Sequence, residues 1–236
     1  MSNSQFNFKQ FSICQDRSAF KVGTDGVLLG ACAEISSADS ILDIGTGTGL
    51  VALMAAQRSE AGIIAIEPDE ESFAQAVENV RNSKWAGRIK VENSDIQHYH
   101  PGDPKFDLIL SNPPYFSDSI RNTDPRKSAA RHNDHLTSAE LLEAASRLMS
   151  VEGKFQIIMP YVEGTVFIAE AQRYNLYCSS IIKIKPLPSS QIRRLILSFT
   201  RQRVKVMEKF LTIERGSRHE FTEEYINLTK EFYLKF

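Results

Sequence analysis

Short apolar runs alternate with helical patterns through the middle of this chain. Ser40 to Ile44 is a brief β-like run, followed by glycines and then by a helical stretch from Leu50 to Arg58. Ile63 to Ile66 is apolar and β-branched. Asp69 stands where an N-cap belongs, before a helix on which Phe73, Val77 and Val80 repeat at i, i+4 and i+7. Ile89 to Glu92, Phe106 to Leu110 and Phe155 to Met159 are further strand candidates. Thr137-Ser138-Ala139-Glu140 reads as a capping box, with Leu141, Ala145 and Leu148 on one face behind it. A βαβα rhythm of this kind predicts an α/β protein, a mostly parallel sheet with helices on both faces.

The end of the chain breaks the rhythm. Ile181 to Ile184 and Leu195 to Thr200 read as strands, joined by Pro186-Leu187-Pro188-Ser189-Ser190. That connection has no room for a crossover helix, so the pair must be antiparallel. Val204 to Ile213 alternates weakly as one more strand, and Phe221, Tyr225, Leu228 and Phe232 predict a terminal amphipathic helix. Ser117 to Asp134 has no clear period and holds Arg121, Arg126, Lys127 and Arg131. A long polar loop beside a sheet is more often functional than decorative.

Composition narrows the class without choosing within it. The chain has 236 residues, 42% hydrophobic and 24% charged, which suits one large soluble domain and excludes disordered, collagen-like and coiled-coil chains. No apolar run approaches the ~18 residues of a membrane helix. Met1 to Gln10 is polar and lacks a signal-peptide pattern. Cys14, Cys32 and Cys178 are far apart and odd in number, forming neither a disulfide framework nor a metal site. A cytoplasmic protein with no metal is the expectation. Nothing here fixes an oligomeric state, and a monomer is the working assumption.

Net charge is −1, but its distribution is uneven. From Glu34 to Asp103 there are twelve Asp/Glu against five Lys/Arg; from Lys183 to Arg218 there are ten Lys/Arg against Glu208 and Glu214. The basic stretch reads either as a solvated strand face or as a footprint for phosphates.

Ile41-Leu42-Asp43-Ile44-Gly45-Thr46-Gly47-Thr48-Gly49-Leu50 follows a strand and opens a helix. Glycines let the backbone turn sharply and a ligand come close, and the helix start offers free N–H groups. The G-x-G-x-x-G pattern fails from Gly45, where Leu50 replaces the third glycine. From Gly47 the variant ending in Ala52 fits, which leaves NAD open on spacing alone. The carboxylates favour a different ligand. Glu67 ends the next strand about twenty residues on, where an acid binds ribose hydroxyls. Asp95 follows the third strand. Asp43, just before the glycines, would repel a pyrophosphate and attract an ammonium. S-adenosylmethionine carries a ribose, an α-amino group and a sulfonium.

Leu108-Ile109-Leu110-Ser111-Asn112-Pro113-Pro114-Tyr115-Phe116 is the sharpest feature. Two prolines stop the strand and stiffen the chain at its carboxyl end, where ligands of open α/β sheets bind. The Asn112 side-chain oxygen and the Pro113 carbonyl are two acceptors, enough to hold both hydrogens of a planar amino group and direct its lone pair at an electrophile. Tyr115 can stack on the flat group carrying that amine. No base is needed before attack, because the proton is lost once the nitrogen is cationic. The bland alternative is a simple Asn-Pro turn.

Taken together these residues resemble the class I S-adenosylmethionine-dependent methyltransferases that act on amino groups, over nearly the whole chain. Phe20-Lys21-Val22-Gly23-Thr24-Asp25-Gly26-Val27-Leu28-Leu29-Gly30, with Ala130-Arg131-His132 further on, is similar to the bacterial tRNA1(Val) adenine(37)-N6 methyltransferases in particular. The resemblance implies a seven-stranded Rossmann-like sheet with a C-terminal antiparallel hairpin. It implies one domain: an N-terminal cofactor-covering segment (1–38), a core sheet (39–200) and a C-terminal extension (201–236). It also implies roles. Asp43, Gly45, Thr46, Gly47, Gly49, Glu67 and Pro68 would hold the cofactor, with Asp95 and Ile96 near its adenine. Lys21, Thr24 and Asp25 would lie against its methionine end. Asn112, Pro113, Pro114 and Tyr115 would hold the target base, and Arg121, Arg131, His132, Arg193 and Arg194 would contact tRNA.

Four alternatives stand beside this one. A glutamine N5-methyltransferase of release factors uses the same turn but carries an N-terminal helical domain, for which 42 residues before Asp43 are too few. A guanine-N2 RNA methyltransferase would share the turn. A non-catalytic RNA-handling protein would have a damaged turn, and this one is intact. An NAD enzyme would need a hydride-transfer constellation, which is missing.

Overall fold

A computed structural model describes residues 4–18, 20–102, 105–114 and 136–235. A two-stranded hairpin, β1 (Gln5–Asn7) and β2 (Ser12–Cys14), precedes α1 (Thr24–Cys32). Then follow β3 (Ser40–Ile44), α2 (Leu50–Arg58), β4 (Gly62–Ile66), α3 (Glu70–Arg81), β5 (Ile89–Glu92) and β6 (Phe106–Ser111). After the undescribed stretch come α4 (Ser138–Leu148), β7 (Met149–Pro160), α5 (Tyr161–Ala171), β8 (Tyr177–Lys185), β9 (Arg194–Thr200), β10 (Met207–Thr212) and α6 (Glu223–Thr229).

The large sheet has the order β10-β8-β9-β7-β6-β3-β4-β5. β9 alone runs against its neighbours, pairing antiparallel with both β7 and β8 as the short proline loop requires. The sheet has eight strands where seven were expected. The added one is β10, parallel to β8 at the edge, with Met207 paired to Ser180 and Thr212 to Lys185. The sheet therefore continues past Thr200 into the C-terminal extension.

Each face of the sheet carries its own core. Val27, Leu28 and Leu29 of α1, Val51 to Ala56 of α2 and Tyr225 of α6 pack with Ile41, Ile63 and Ile158 on one side. Leu141, Leu142 and Leu148 of α4 and Phe167 of α5 pack with Leu42, Ile109, Phe155 and Phe199 on the other. The capping box at Thr137 and Glu140 closes as the sequence predicts. The final helix is shorter than predicted: Phe221 and Phe232 lie outside it, while Tyr225 and Phe232 are buried.

The helical face expected on α3 is also displaced. Val77 is 39% exposed, and the buried residues are Ser72, Gln75, Ala76, Asn79 and Val80. Three of those five are polar, and Gln75 and Asn79 bind backbone. Asn79 accepts from the Cys14 N–H at 2.8 Å and donates to the carbonyls of Cys14 (2.9 Å) and Thr48 (2.8 Å). The Gln75 Oε1 accepts from the Arg17 N–H at 3.0 Å. The chain before α1 is thus tied to α3 and, through Asn79, to the glycine loop.

Candidate active site

Chain order places the site. From β3 the chain moves outward through β4 and β5, then returns to β6 on the other side of β3. Such a reversal opens a crevice at the carboxyl ends of the two central strands. Ile44 pairs with Ser111, and the Ser111 hydroxyl donates to the Ile44 carbonyl at 3.1 Å. The glycine loop and Asn112 consequently leave the sheet side by side.

Gly45, Gly47 and Gly49 all have positive φ, +70°, +58° and +83°. At Gly47 the conformation has a visible use: its N–H donates to the Glu67 Oε2 at 2.7 Å. A Cβ at Gly45 or Gly47 would have nothing within 4 Å, so the loop faces open space, whereas one at Gly49 would touch Ala76. The open side of this cradle is the side a ligand can reach.

Asp43 and Glu67 brace the loop from beneath. Asp43 is 1% exposed, and its Oδ2 accepts from the Thr46 hydroxyl at 2.6 Å and the Ala52 N–H at 3.2 Å. Burial pushes its carboxyl up to about 6, against the lowering effect of those two bonds. Glu67 is 8% exposed, and its Oε1 accepts from the Asp69 N–H at 3.1 Å. Burial pushes it up to about 7, opposed by the Asp69 and Gly47 N–H bonds. Glu67 can accept ribose hydroxyls from the crevice, while Asp43 lies deeper, enclosed by its own loop.

The remaining sequence-predicted cofactor residues divide. Asp95 stands beyond β5, where its Oδ1 accepts from the His98 N–H and lies 2.8 Å from the His98 Nδ1. Those hydrogen bonds from His98 hold the carboxyl below its usual range. Ile96 is buried in the core on the α4 side, and Pro68 is exposed, its carbonyl accepting from Asn93. Lys21 and Thr24 are exposed at the entrance to α1.

Helix α1 walls the catalytic side. A Cβ on Gly26 would lie 3.0 Å from the Leu50 Cδ2 and 3.6 Å from the Asn112 Nδ2; one on Gly30 would lie 2.7 Å from the Met54 Sδ. The two glycines, one helical turn apart, let α1 press against α2 and the Asn112 carboxamide. Both ends of α1 are also tied to the far strands. At its start the Asp25 Oδ2 accepts from the Arg194 Nε at 2.8 Å. Beyond its end the Glu34 N–H donates to the Gln156 Oε1 at 2.7 Å, and the Glu34 carboxylate pairs with Lys154 at 2.5 Å. Sequence reading missed Gly26, Gly30, Gln75 and Asn79. The Thr24-Asp25-Gly26-Val27-Leu28-Leu29-Gly30 spacing was the one signal that could have revealed the glycine pair.

Asn112 is half-buried, Pro113 buried and Pro114 exposed. Without N–H groups neither proline can extend the ladder, and each holds the residue before it extended. Tyr115, Arg121, Arg131 and His132 lie outside the described residues. Arg193 is exposed, and Arg194 is shared with Asp25. Among the described residues no group of His, Cys, Asp and Glu could hold a metal ion, and no helix is long and apolar enough to cross a membrane.

A glycine cradle over two buried carboxylates, beside an Asn-Pro turn, is the arrangement of a methyltransferase, and residues 18–165 match the methyltransferase small domain. A predicted O-methyltransferase from Agrobacterium tumefaciens shares the fold, with a TM-score of 0.67 at 19% identity over 88% of this chain and 96% of that one. A putative RNA methyltransferase from Pyrococcus horikoshii has a TM-score of 0.54 at 17% identity, over 74% and 80%. Sequence relatives are much nearer. The tRNA1(Val) (adenine(37)-N6)-methyltransferase of Phocaeicola vulgatus is 48% identical over 99% of both chains, and that of Trichodesmium erythraeum 44% identical over the full length of both. This chain belongs to the tRNA1(Val) (adenine(37)-N6)-methyltransferase family.

Proposed function

We propose that this protein transfers a methyl group from S-adenosylmethionine to the exocyclic N6 amine of adenine 37 in tRNA1(Val). The observation that carries the chemistry is the Asn112-Pro113 turn, set beside the glycine cradle by the Ile44–Ser111 pairing and backed by Gly26 of α1. The cradle fits the cofactor: its open face sits over Glu67, and the segment 21–25 enters α1 next to Asn112. When bound, that cofactor supplies a methyl group on a sulfonium.

The protein's own work is positioning and electrostatics. The Asn112 side-chain oxygen and the Pro113 carbonyl accept the two N6 hydrogens, and Tyr115 stacks on the adenine ring. Holding both hydrogens draws the nitrogen lone pair out of the ring and aims it. The cofactor, held by the glycine loop and Glu67, would supply the methyl group, the nitrogen lone pair forming the new N–C bond as the methyl group leaves the sulfur with its bonding electrons. The nitrogen becomes cationic, and the two oxygens stabilise the charge until one proton leaves for water. Most of the rate gain then comes from orientation and from dipoles fixed where charge develops. A tRNA substrate is consistent with a cytoplasmic enzyme.

The test is methyl transfer from labelled S-adenosylmethionine to unmodified tRNA and, separately, to a release factor, with the labelled nucleoside identified by mass spectrometry. N6-methyladenosine at position 37 is the expected product. Label on the release factor, or on N2 of guanine, overturns the reading.

A further inference from the structure

Strand direction sorts the ten cations of the basic stretch into groups. β7, β8 and β10 run the same way as β6, so their carboxyl ends share the Asn112 end of the sheet, as does the start of β9. Lys183, Lys185, Arg193, Arg194, Arg215 and Arg218 therefore belong to the catalytic end. The β8–β9 connection, which carries Arg193, and the loop after β10, which carries Arg215 and Arg218, touch there, where the Glu214 N–H donates to the Pro186 carbonyl at 2.9 Å. Arg201, Arg203 and Lys205 belong to the opposite end, where Thr200 pairs with Tyr177 at the start of β8. Lys209 lies midway on β10. The length of β8 separates the two ends by roughly 25 Å.

Partners sort them again. At the catalytic end Lys183 pairs with Glu208 at 2.5 Å and stands over the Phe210 ring, Arg194 holds Asp25, and Arg215 donates to the Phe221 carbonyl. At the far end Arg201 donates to the carbonyls of Ser146, Met149 and Ser150, and Arg203 lies 4.7 Å over the Tyr177 ring. The side chains of Lys185, Arg193 and Arg218 make no hydrogen bond or ion pair with another described residue, and Arg193 and Arg218 are exposed.

We propose that Lys185, Arg193 and Arg218 form the phosphate-binding strip that holds the tRNA backbone beside the catalytic crevice, and that Arg203 and Lys205 take no part in it. The inference rests on the tRNA reading above. Cations with no partner among the described residues keep their charge available for a polyanion. Three of them, at the last residue of β8 and on the two adjoining loops, at the end of the sheet where the target base must enter, match a run of phosphates in sign and place. The far-end cations are equally basic in sequence but point the backbone away from the reaction.

The experiment measures binding of an unmodified tRNA1(Val) transcript against salt concentration, for wild type and for Lys185→Glu, Arg193→Glu, Arg218→Glu, Arg203→Glu and Lys205→Glu. Each of the first three is expected to weaken binding severalfold to tenfold at moderate salt and to lower the log–log salt slope by roughly one unit. The last two should match wild type. Equal flattening by Arg203→Glu or Lys205→Glu overturns the proposal, as do unchanged slopes for the first three. Wild-type methylation of the same transcript is the separate arm. With methylation present and slopes unmoved, the strip is wrong and the substrate right; with none, the substrate reading itself fails.

Discussion

The two halves of the sheet handle charge in opposite ways. On the β3–β5 side the decisive charges are carboxylates, and Asp43 and Glu67 are buried, 1% and 8% exposed, Asp43 accepting from the Thr46 hydroxyl and the Ala52 N–H, Glu67 from the Gly47 and Asp69 N–H groups. On the β8–β10 side the charges are cations, mostly at the surface, several tied to carbonyls or aromatic rings and a few left to solvent. The buried acids set a fixed shape whether or not a ligand is present, and burial raises their pKa values. The exposed bases impose no shape and act over a distance, as suits a large, hydrated polyanion. One half is built for a small ligand and close fit, the other for capture.

The strongest test of this division lies on the line between the halves. Asn112 follows β6, next to the glycine loop, yet in the proposed mechanism it acts on the substrate. Asn112→Ala should lower kcat by about a hundred- to a thousandfold, the range for removing one preorganised polar group at the reacting centre. Cofactor affinity should hold, as read by calorimetry. A comparable loss of cofactor binding would make the turn a structural support of the loop and blur the boundary.

A second test uses the raised pKa of Glu67. Its carboxyl ionises near 4.5 when unfolded and near 7 when folded. Between those values the folded state keeps a proton that the unfolded state has released. This contribution to stability is therefore complete below about pH 4.5 and declines as pH rises to about 7, by at most ~1.4 kcal/mol per unit. Glu67→Gln does not titrate. Its melting temperature, relative to wild type, should increase from pH 5 to pH 8 while its cofactor affinity falls. A difference that stays flat with pH would mean the Glu67 environment is more polar than its burial indicates.

The same division explains how much of the molecule its sequence disclosed. β3, α2 and β5 have the boundaries the pattern predicts, because each is a short apolar or amphipathic unit ended by its own glycine or polar residue. The glycine loop, Glu67 and the Asn112 turn are local motifs and were equally legible. What stayed hidden depends on partners far along the chain. Gln75 and Asn79 look like the solvated side of α3, yet they are buried because Arg17 and Cys14 supply their hydrogen bonds. β10 shows little alternation because an edge strand leaves Met207 to Phe210 exposed. A count of cations cannot tell Arg201, bound to three carbonyls, from Arg218, which meets water.

Arg194 gives the smallest expected effect and the most pointed exception. By sequence it belongs with the basic half, as a phosphate contact next to Arg193. In the structure its Nε donates to Asp25, and the two side chains are 28% and 21% exposed, sheltered enough for the pair to hold in salt. Asp25 sits in the first turn of α1, one residue before the glycine that abuts Asn112. We therefore expect Arg194 to act as a positioning residue for the cofactor side, reached from the substrate side. Arg194→Ala should weaken S-adenosylmethionine binding by about tenfold, the lower end for a charge-assisted hydrogen bond in a partly sheltered site. The salt slope for tRNA should not change. Asp25→Asn should have a similar effect, and the double variant should be little worse than either alone, because both changes remove the same contact. If Arg194→Ala flattens the salt slope as Arg193→Glu is expected to, Arg194 faces the RNA after all, and α1 is held in place by Glu34 and its glycines instead.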